Sequence, residues 1–472
     1  MQDAIVRIES ITINNFKNVK HGFLSFENPR KCYAASILGL YGQNGSGKTA
    51  LIDAIALLQF ALRGQQIPVS FADYIHVEAE YADLKYEFRV INKETEAVYK
   101  VCYEFCIRKN PAVVSSNTEL IDAVSEEYQV VIFDEVLRYS YENHEVKYKL
   151  LPVIDTRAEI PFVPKTKYDS LIGTNKAVEL DLCVAKKIAF ATSRSFVFSK
   201  ELVQAILVNC KEEWHKFLIQ SLIRYGHYGL FVINTANSDL ISMQALPLAF
   251  KYEGQGKEKG AVGKLALPLN EAAVIPQEAV EVVEKVIHDM NIVLQEMIPK
   301  LTISVEKLGT EIKENGKIGC RIQLMSNKNS KKIPLRDESE GIKKIISVLQ
   351  LLIVVYNDSS ITVAIDELDA GIFEYLLGEL LRIISEKGKG QLIFTSHNLR
   401  PLETLDRGFI AFTTTNPENR YIRLNHVKTN HNLRDFYYRD IVLGEQNEPV
   451  YEPTNNYEIA LAFREAGEQN GS

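Results

Sequence analysis

Residues 42–49 read Gly42-Gln43-Asn44-Gly45-Ser46-Gly47-Lys48-Thr49 and satisfy G-x-x-x-x-G-K-[ST] at every constrained position. Glycines let a backbone curl around phosphate with its N–H groups turned inward, and the helix that follows offers the positive end of its dipole. In that frame Lys48 reaches the β- and γ-phosphates and Thr49 holds Mg²⁺. The flanks fit the motif. Ala35–Tyr41 reads as a buried strand, and Ala50–Leu62 carries apolar residues at helical spacing and stops before Gly64. The competing reading, a flexible glycine loop with a solvated lysine, lacks that strand–loop–helix setting.

A second chemical cluster lies some three hundred residues on. Ile361-Thr362-Val363-Ala364-Ile365 is a short apolar run that ends in Asp366-Glu367, the pattern of a buried parallel strand delivering two carboxylates at its carboxyl end. Asp366 is expected to orient Mg²⁺ and Glu367 to polarise the attacking water as general base. Taken alone, the pair could equally cap the next helix; the phosphate loop favours the catalytic reading. After a helix expected at Ile372–Ile384, Gln391–Thr395 forms another buried strand ending in Ser396-His397-Asn398, where His397 can sense a γ-phosphate. Ser339 precedes an apolar helix and is a natural N-cap. Alternatively Ser339, Gly341 and that helix N-terminus offer a second phosphate contact to a nucleotide held by another subunit.

The chain between these clusters is expected to run as follows. Residues 5–27 alternate apolar and polar, giving two strands joined near Asn14–Asn18. Tyr86–Ile91 and Tyr99–Ile107 read as antiparallel strands, and Tyr128–Tyr139 pairs with Glu145–Leu150 through a turn at Glu142-Asn143-His144. Residues 1–150 are thus the N-terminal part of the domain with its β subdomain. Residues 151–299 are expected as a mainly helical insertion, with helices at Ser199–Tyr225 and Gln277–Pro299 and a flexible loop at Gly254–Lys264. Leu301–Lys307 and Lys317–Met325 read as a hairpin around Asn315-Gly316, and 328–332 as polar linker, inside a C-terminal part spanning 300–445; a tail covers 446–472.

With 472 residues, two to four domains are expected, and 46% hydrophobic content supports real cores. No apolar window long enough for a membrane span and no signal-peptide pattern at Met1–Arg7 place the chain in the cytoplasm, away from membranes. A net charge of −7 argues against coating nucleic acid through overall charge, while local basic patches leave nucleic acid open as a partner. The six cysteines are scattered; Cys102 and Cys106 suit one face of a strand, and zinc would need a second pair, so reduced, buried thiols are expected.

In this order, the motifs resemble the ABC-type ATPase heads of the SMC, RecF and RecN class. The match comprises Ile11–Phe16, the loop Gly42–Thr49, Ser339-Glu340-Gly341, Ile365–Ala370 and Ser396–Asn398. Within that class the Ser339-Glu340-Gly341-x-Lys343 and Asp366–Ala370 motifs look most like the compact ATPases of bacterial phage-defence systems of the PARIS, Septu and Abi types. The resemblance implies an α/β P-loop NTPase fold of ABC/SMC-head type with an antiparallel β subdomain and a helical insertion. It implies ATP and Mg²⁺ as cofactors, ATP hydrolysis as the activity, and two heads that sandwich two ATP molecules, hence a dimer or larger assembly. The expected role is a switch controlling a partner effector, a nuclease or toxin; the alternative is a RecF-like DNA-repair or DNA-loading ATPase. Two departures stand out: Glu340 replaces a glycine of the usual transporter signature, and 63–110 offers no convincing glutamine lid. Phe16 and Lys17 are the candidates for the adenine contact.

Overall fold

A computed structural model of the chain describes residues 4–30, 34–111, 128–142, 149–234, 245–252, 261–312, 318–329, 331–424, 432–444 and 447–468. Alternating apolar positions make β1 (Ala4–Phe16) and β2 (Val19–Ser25) an antiparallel hairpin, with Phe16 opposite Val19. Next come β3 (Ser36–Tyr41), the glycine loop and α1 (Lys48–Leu62). The long strands β4 (Tyr81–Asn92), β5 (Val98–Pro111) and β6 (Tyr128–Glu142), then β7 (Leu151–Asp155), complete an antiparallel sheet in the order β2-β1-β4-β5-β6-β7. Most of the strand expected at 145–150, and most of its expected turn, fall in 143–148, outside the described residues; the strand that pairs with β6 there is Leu151–Asp155.

Four helices follow: α2 (Lys165–Leu171), α3 (Lys176–Ala191), α4 (Lys200–Asn209) and α5 (Glu213–Arg224). A five-residue π-turn, Tyr225–Gly229, then delivers β8 (Leu230–Ile233). Here the expected boundaries need correction. Residues 151–299 are not a separable helical insertion, because β8 pairs in parallel with β15 (Thr362–Ile365) and so belongs to the central sheet. Leu-Phe-Val-Ile is too short for its periodicity to distinguish a buried strand from a helical turn.

Beyond it, β9 (Ala245–Tyr252) and β10 (Ala261–Pro268) form a hairpin, so the end of the expected 254–264 loop is strand; 253–260 lie outside the described residues. A third sheet contains β11 (Ala273–Pro276), β12 (Leu301–Ile312), β13 (Ile318–Lys328) and β14 (Lys331–Pro334), with α6 (Ala279–Met297) between its first two strands. The β12–β13 hairpin is as expected, and its Asn315-Gly316 turn lies outside the described residues. Within the expected linker at 328–332, Lys328 ends β13, Asn329 takes φ 50° and Lys331 opens β14, while 330 lies outside the described residues.

The remaining elements are α7 (Glu340–Asn357), α8 (Glu374–Lys387), β16 (Gln391–Thr395), α9 (Pro401–Thr404), β17 (Ile410–Thr413), β18 (Tyr421–Ile422), α10 (Leu433–Leu443) and α11 (Asn456–Glu468). The central sheet runs β18-β17-β3-β16-β15-β8, parallel except for β18. One core packs α1 and α2–α5 with the antiparallel sheet; the other packs α6, α7 and α8 with residues of the parallel strands. Helix α1 is apolar on all sides because it is covered on all sides, and Tyr86 of β4 donates its hydroxyl to the Ala54 carbonyl at 2.7 Å.

The described cysteines Cys102, Cys106, Cys210 and Cys320 are buried, and Cys183 is half-buried. Among the described residues no helix is long and apolar enough to cross a membrane.

Candidate nucleotide site at the carboxyl edge of the parallel sheet

In open parallel sheets, ligands bind outside the carboxyl ends of the strands. At that edge β3 delivers the glycine loop, β15 delivers Asp366-Glu367, β16 delivers Ser396-His397, β17 ends at Thr413 and β8 is followed by Asn234. Gly42, Gly45 and Gly47 take φ of 155°, 75° and 95°, a region that favours glycine. A side chain at Gly42 would also run into the Thr413 hydroxyl. The Ser46 hydroxyl bonds to the Gln43 carbonyl at 2.6 Å and to Thr413 Oγ1, so the end of β17 buttresses the loop. From β18, Tyr421 donates its hydroxyl to the Gly47 carbonyl at 2.9 Å, and Asn18 of the first hairpin donates to the Gly45 carbonyl. Gln43 Oε1 accepts from the Glu452 amide at 2.8 Å.

Lys48 is 7% exposed and donates to the Gly42 and Gln43 carbonyls at 2.7 and 2.9 Å. Burial lowers its pKa, opposed by Asp366, Glu367 and Asp369. Thr49, in the first turn of α1, is half-buried. One turn further, fully buried Asp53 accepts from Lys17 Nζ and Asn234 Nδ2; burial pushes its carboxyl up against the pull of Lys17. This placement takes Phe16 out of the expected adenine contacts, since it is 0% exposed and edge-on to Tyr74, while the Lys17 ammonium pairs with Asp53.

Asp366 is 2% exposed, and Thr395 donates its hydroxyl to Asp366 Oδ1 at 2.5 Å. The same hydroxyl accepts the Glu367 amide at 2.8 Å, which helps hold Glu367 at φ 48°. A non-glycine residue in that region stores roughly 1–3 kcal/mol of strain, which the surrounding structure must hold in place. Asp369 Oδ2 then accepts the amides of His397 (3.1 Å) and Asn398 (2.9 Å), tying the carboxylate turn to the end of β16. The His397 ring is exposed. Asn44, Glu367, Asp369, Ala370 and His397 line one cleft of about 340 Å³. The structure therefore brings the loop, the candidate base and the candidate sensor to one opening.

Ser339 and Gly341 are not among the residues lining that cleft. Ser339 is exposed and caps α7, its hydroxyl accepting from the Ile342 amide at 3.4 Å. A Cβ on Gly341 would lie 2.5 Å from the Gly371 carbonyl, so this glycine lets α7 pack directly against the end of the carboxylate turn.

Thr395, Thr413 and Asn234 support the site, and no motif in the sequence points to them. The only signal for Asn234 is a polar residue closing a four-residue apolar run. The donor set at Thr49 and Asp366 is hard oxygen, which suits Mg²⁺, an ion usually held by one or two protein groups together with phosphate and water. Among the described residues there is no larger metal-binding cluster.

The DNA replication and repair protein RecF of Azobacteroides pseudotrichonymphae genomovar. CFP2 is 32% identical over 136 residues, which cover 25% of this chain and 35% of that protein; the chain thus spans about a third of that relative's length. Among solved structures, the Smc head bound to the C-winged helix domain of ScpA is 12% identical, covering 88% of this chain and 97% of its own, with a TM-score of 0.40. The recombination mediator protein RecF-ATPrS of the RecFOR pathway is 16% identical, with coverages of 89% and 98% and a TM-score of 0.36. The family described as the AAA ATPase domain matches residues 7–400. With its P-loop α/β fold and a match of that extent, the chain belongs to the AAA ATPase domain family.

Proposed function

We propose that the protein is an ATP-hydrolysing switch of ABC/SMC-head type, in which two copies sandwich two ATP molecules and the assembly controls a partner effector. The observation that carries this reading is the division of the site. Asn44, Glu367 and His397 share one cleft, while Ser339 stands exposed at the start of α7, outside it, where it can meet a nucleotide held by a second copy. In this reading the amides of Gly42–Gly47 and Lys48 hold the phosphates. Thr49 and one oxygen of Asp366 hold Mg²⁺, which neutralises phosphate charge when bound. Glu367 polarises the attacking water, His397 contacts the γ-phosphate, and Asn234, beside Asp53, reads the occupied site. Ser339 and Gly341 complete the partner's site.

The effector, a nuclease or toxin acting in antiphage defence, is supported by the Ser339–Lys343 and Asp366–Ala370 motifs. A second reading, a DNA-repair or DNA-loading ATPase, is favoured by the 32% identity to RecF. The deciding experiment measures molecular mass with and without ATP and Mg²⁺, and turnover with and without duplex DNA at two salt concentrations. ATP-dependent doubling of mass without DNA stimulation supports the switch. Salt-sensitive DNA stimulation transfers support to the second reading. A strict monomer in every nucleotide state overturns the sandwich.

A further inference from the structure

Helix α11 has a face suited to burial, and its own chain leaves that face in solvent. Asn455 caps the helix, its side-chain oxygen accepting the Tyr457 and Glu458 amides at 3.1 and 3.3 Å. Ile459, Ala462, Phe463 and Ala466 recur at the three- and four-residue spacing of one helix side, with Arg464 and Glu465 turned away from it. Every residue from 456 to 467 is nevertheless exposed, Phe463 at 78%. A helix of 13 residues is marginal in water by itself, because most helical stability in proteins comes from packing an amphipathic face. The surface that α11 needs has to come from another molecule.

The chain before α11 fixes where that molecule sits. The Pro449 carbonyl accepts the Thr415 amide at 2.9 Å, and the Glu448 carboxylate accepts from the side-chain amides of Asn416 and Asn419 at 2.9 and 3.1 Å. Val450 is buried, and the Glu452 amide donates to Gln43 Oε1 at 2.8 Å, beside Asn44 at the opening of the nucleotide cleft. Asn456 follows Glu452 by four residues, a reach of at most about 14 Å, so α11 starts at the rim of that cleft. In the ATP sandwich proposed above, the rim faces the Ser339 end of α7 in a second copy. Ser339 lies two residues before Gly341 and Phe373 two residues after Gly371, so the close Gly341–Gly371 approach brings both near one another. Phe373, 70% exposed at the start of α8, and Tyr375, 55% exposed, give that surface its apolar groups.

We propose that in the ATP-bound assembly α11 crosses to a second copy and packs Ile459 and Phe463 against that copy's Phe373 and Tyr375. The proposal rests on the sandwich reading and deepens it: two reciprocal helix docks hold the assembly at the rims of both clefts.

The test uses the full chain and two variants, Phe463→Asp and Phe373→Asp, with ATP-dependent association measured by analytical ultracentrifugation on each alone and on the two mixed. Each variant alone should associate about 10–100-fold more weakly than wild type, the loss expected for a buried aromatic anchor. An equal mixture should associate at least about tenfold more tightly than either variant alone, because the mixed dimer keeps one dock with both sides unaltered. Unassembled Phe463→Asp should keep the melting temperature and nucleotide affinity of wild type, since Phe463 is exposed on its own chain. Phe463→Leu should recover most of the association, and Arg464→Glu, on the side turned away, should stay within about threefold of wild type. As an independent readout, benzoylphenylalanine at position 463 should cross-link, under light and with ATP, to the 373–375 segment of a differently tagged copy. Wild-type association of Phe463→Asp, a mixture no tighter than its parts, or cross-links confined to one chain overturns the proposal and leaves the sandwich standing. A wild type that stays monomeric with ATP overturns the sandwich and the proposal with it.

Discussion

Thr395 donates its hydroxyl to Asp366 Oδ1 at 2.5 Å and accepts the amide of Glu367 at 2.8 Å, so a single hydroxyl on β16 sets both the carboxylate and the strained backbone of the neighbouring strand's end. The replacement Thr395→Val keeps shape and removes both bonds. With Glu367 at φ 48° and its amide unpaired, the turn should relax and Glu367 should leave its place in the cleft. Expected outcomes are a fall in kcat of about 10–100-fold with nucleotide affinity nearly kept, and about 1–3 kcal/mol lost in urea unfolding. Unchanged kcat would show that Thr395 merely packs.

Glu367→Gln removes the base and leaves size and hydrogen-bonding capacity at the cleft. Turnover should drop by about 10²–10⁴-fold, with ATP retained and the assembled form accumulating. Radiolabelled ATP co-eluting with the dimer on gel filtration is the readout. Normal turnover in this variant removes Glu367 from its proposed role.

Much of this site was legible in the sequence because its motifs are contiguous. Gly42–Thr49 and Asp366-Glu367 each announce themselves within eight residues, and β3 and β15 fall where the apolar runs lie. What was not legible depends on chain ends that meet only in three dimensions. Thr413 supports a loop 367 residues earlier in the chain through Ser46, and Asn234 reaches Asp53 across 181 residues. β8 is a four-residue run without a readable period, which is why 151–299 looked like a helical insertion instead of a path through the central sheet. Phe16 entered as an adenine candidate only through the resemblance; register buries it against Val19 and Tyr74.

Gly341→Ala tests whether α7 must touch the carboxylate turn. The added Cβ meets the Gly371 carbonyl at 2.5 Å. Relief by a shift of α7 would carry Ser339 with it. The expected result is weakened ATP-dependent assembly together with about 1–3 kcal/mol of lost stability, measured by analytical ultracentrifugation and chemical unfolding. Assembly at wild-type ATP concentrations would mean that Ser339 tolerates the shift and does not need this packing.

Away from the site, His215 supplies a pH signature of the core. It is 0% exposed, its ring is stacked on Trp214 at 3.8 Å, and Nδ1 lies 2.5 Å from the Tyr139 hydroxyl. Burial holds its pKa down at about 4, with Glu212 pulling upward and Lys167 downward. The folded chain therefore keeps this imidazole neutral, while the unfolded chain takes up a proton as pH falls through about 6.5. The stabilising contribution is complete above that value and drains away between about 6.5 and 4, to a total of about 3 kcal/mol. Melting temperatures of wild type and His215→Phe across this window should converge as pH falls, because only wild type carries the extra slope. Parallel curves would place the acid sensitivity on other groups.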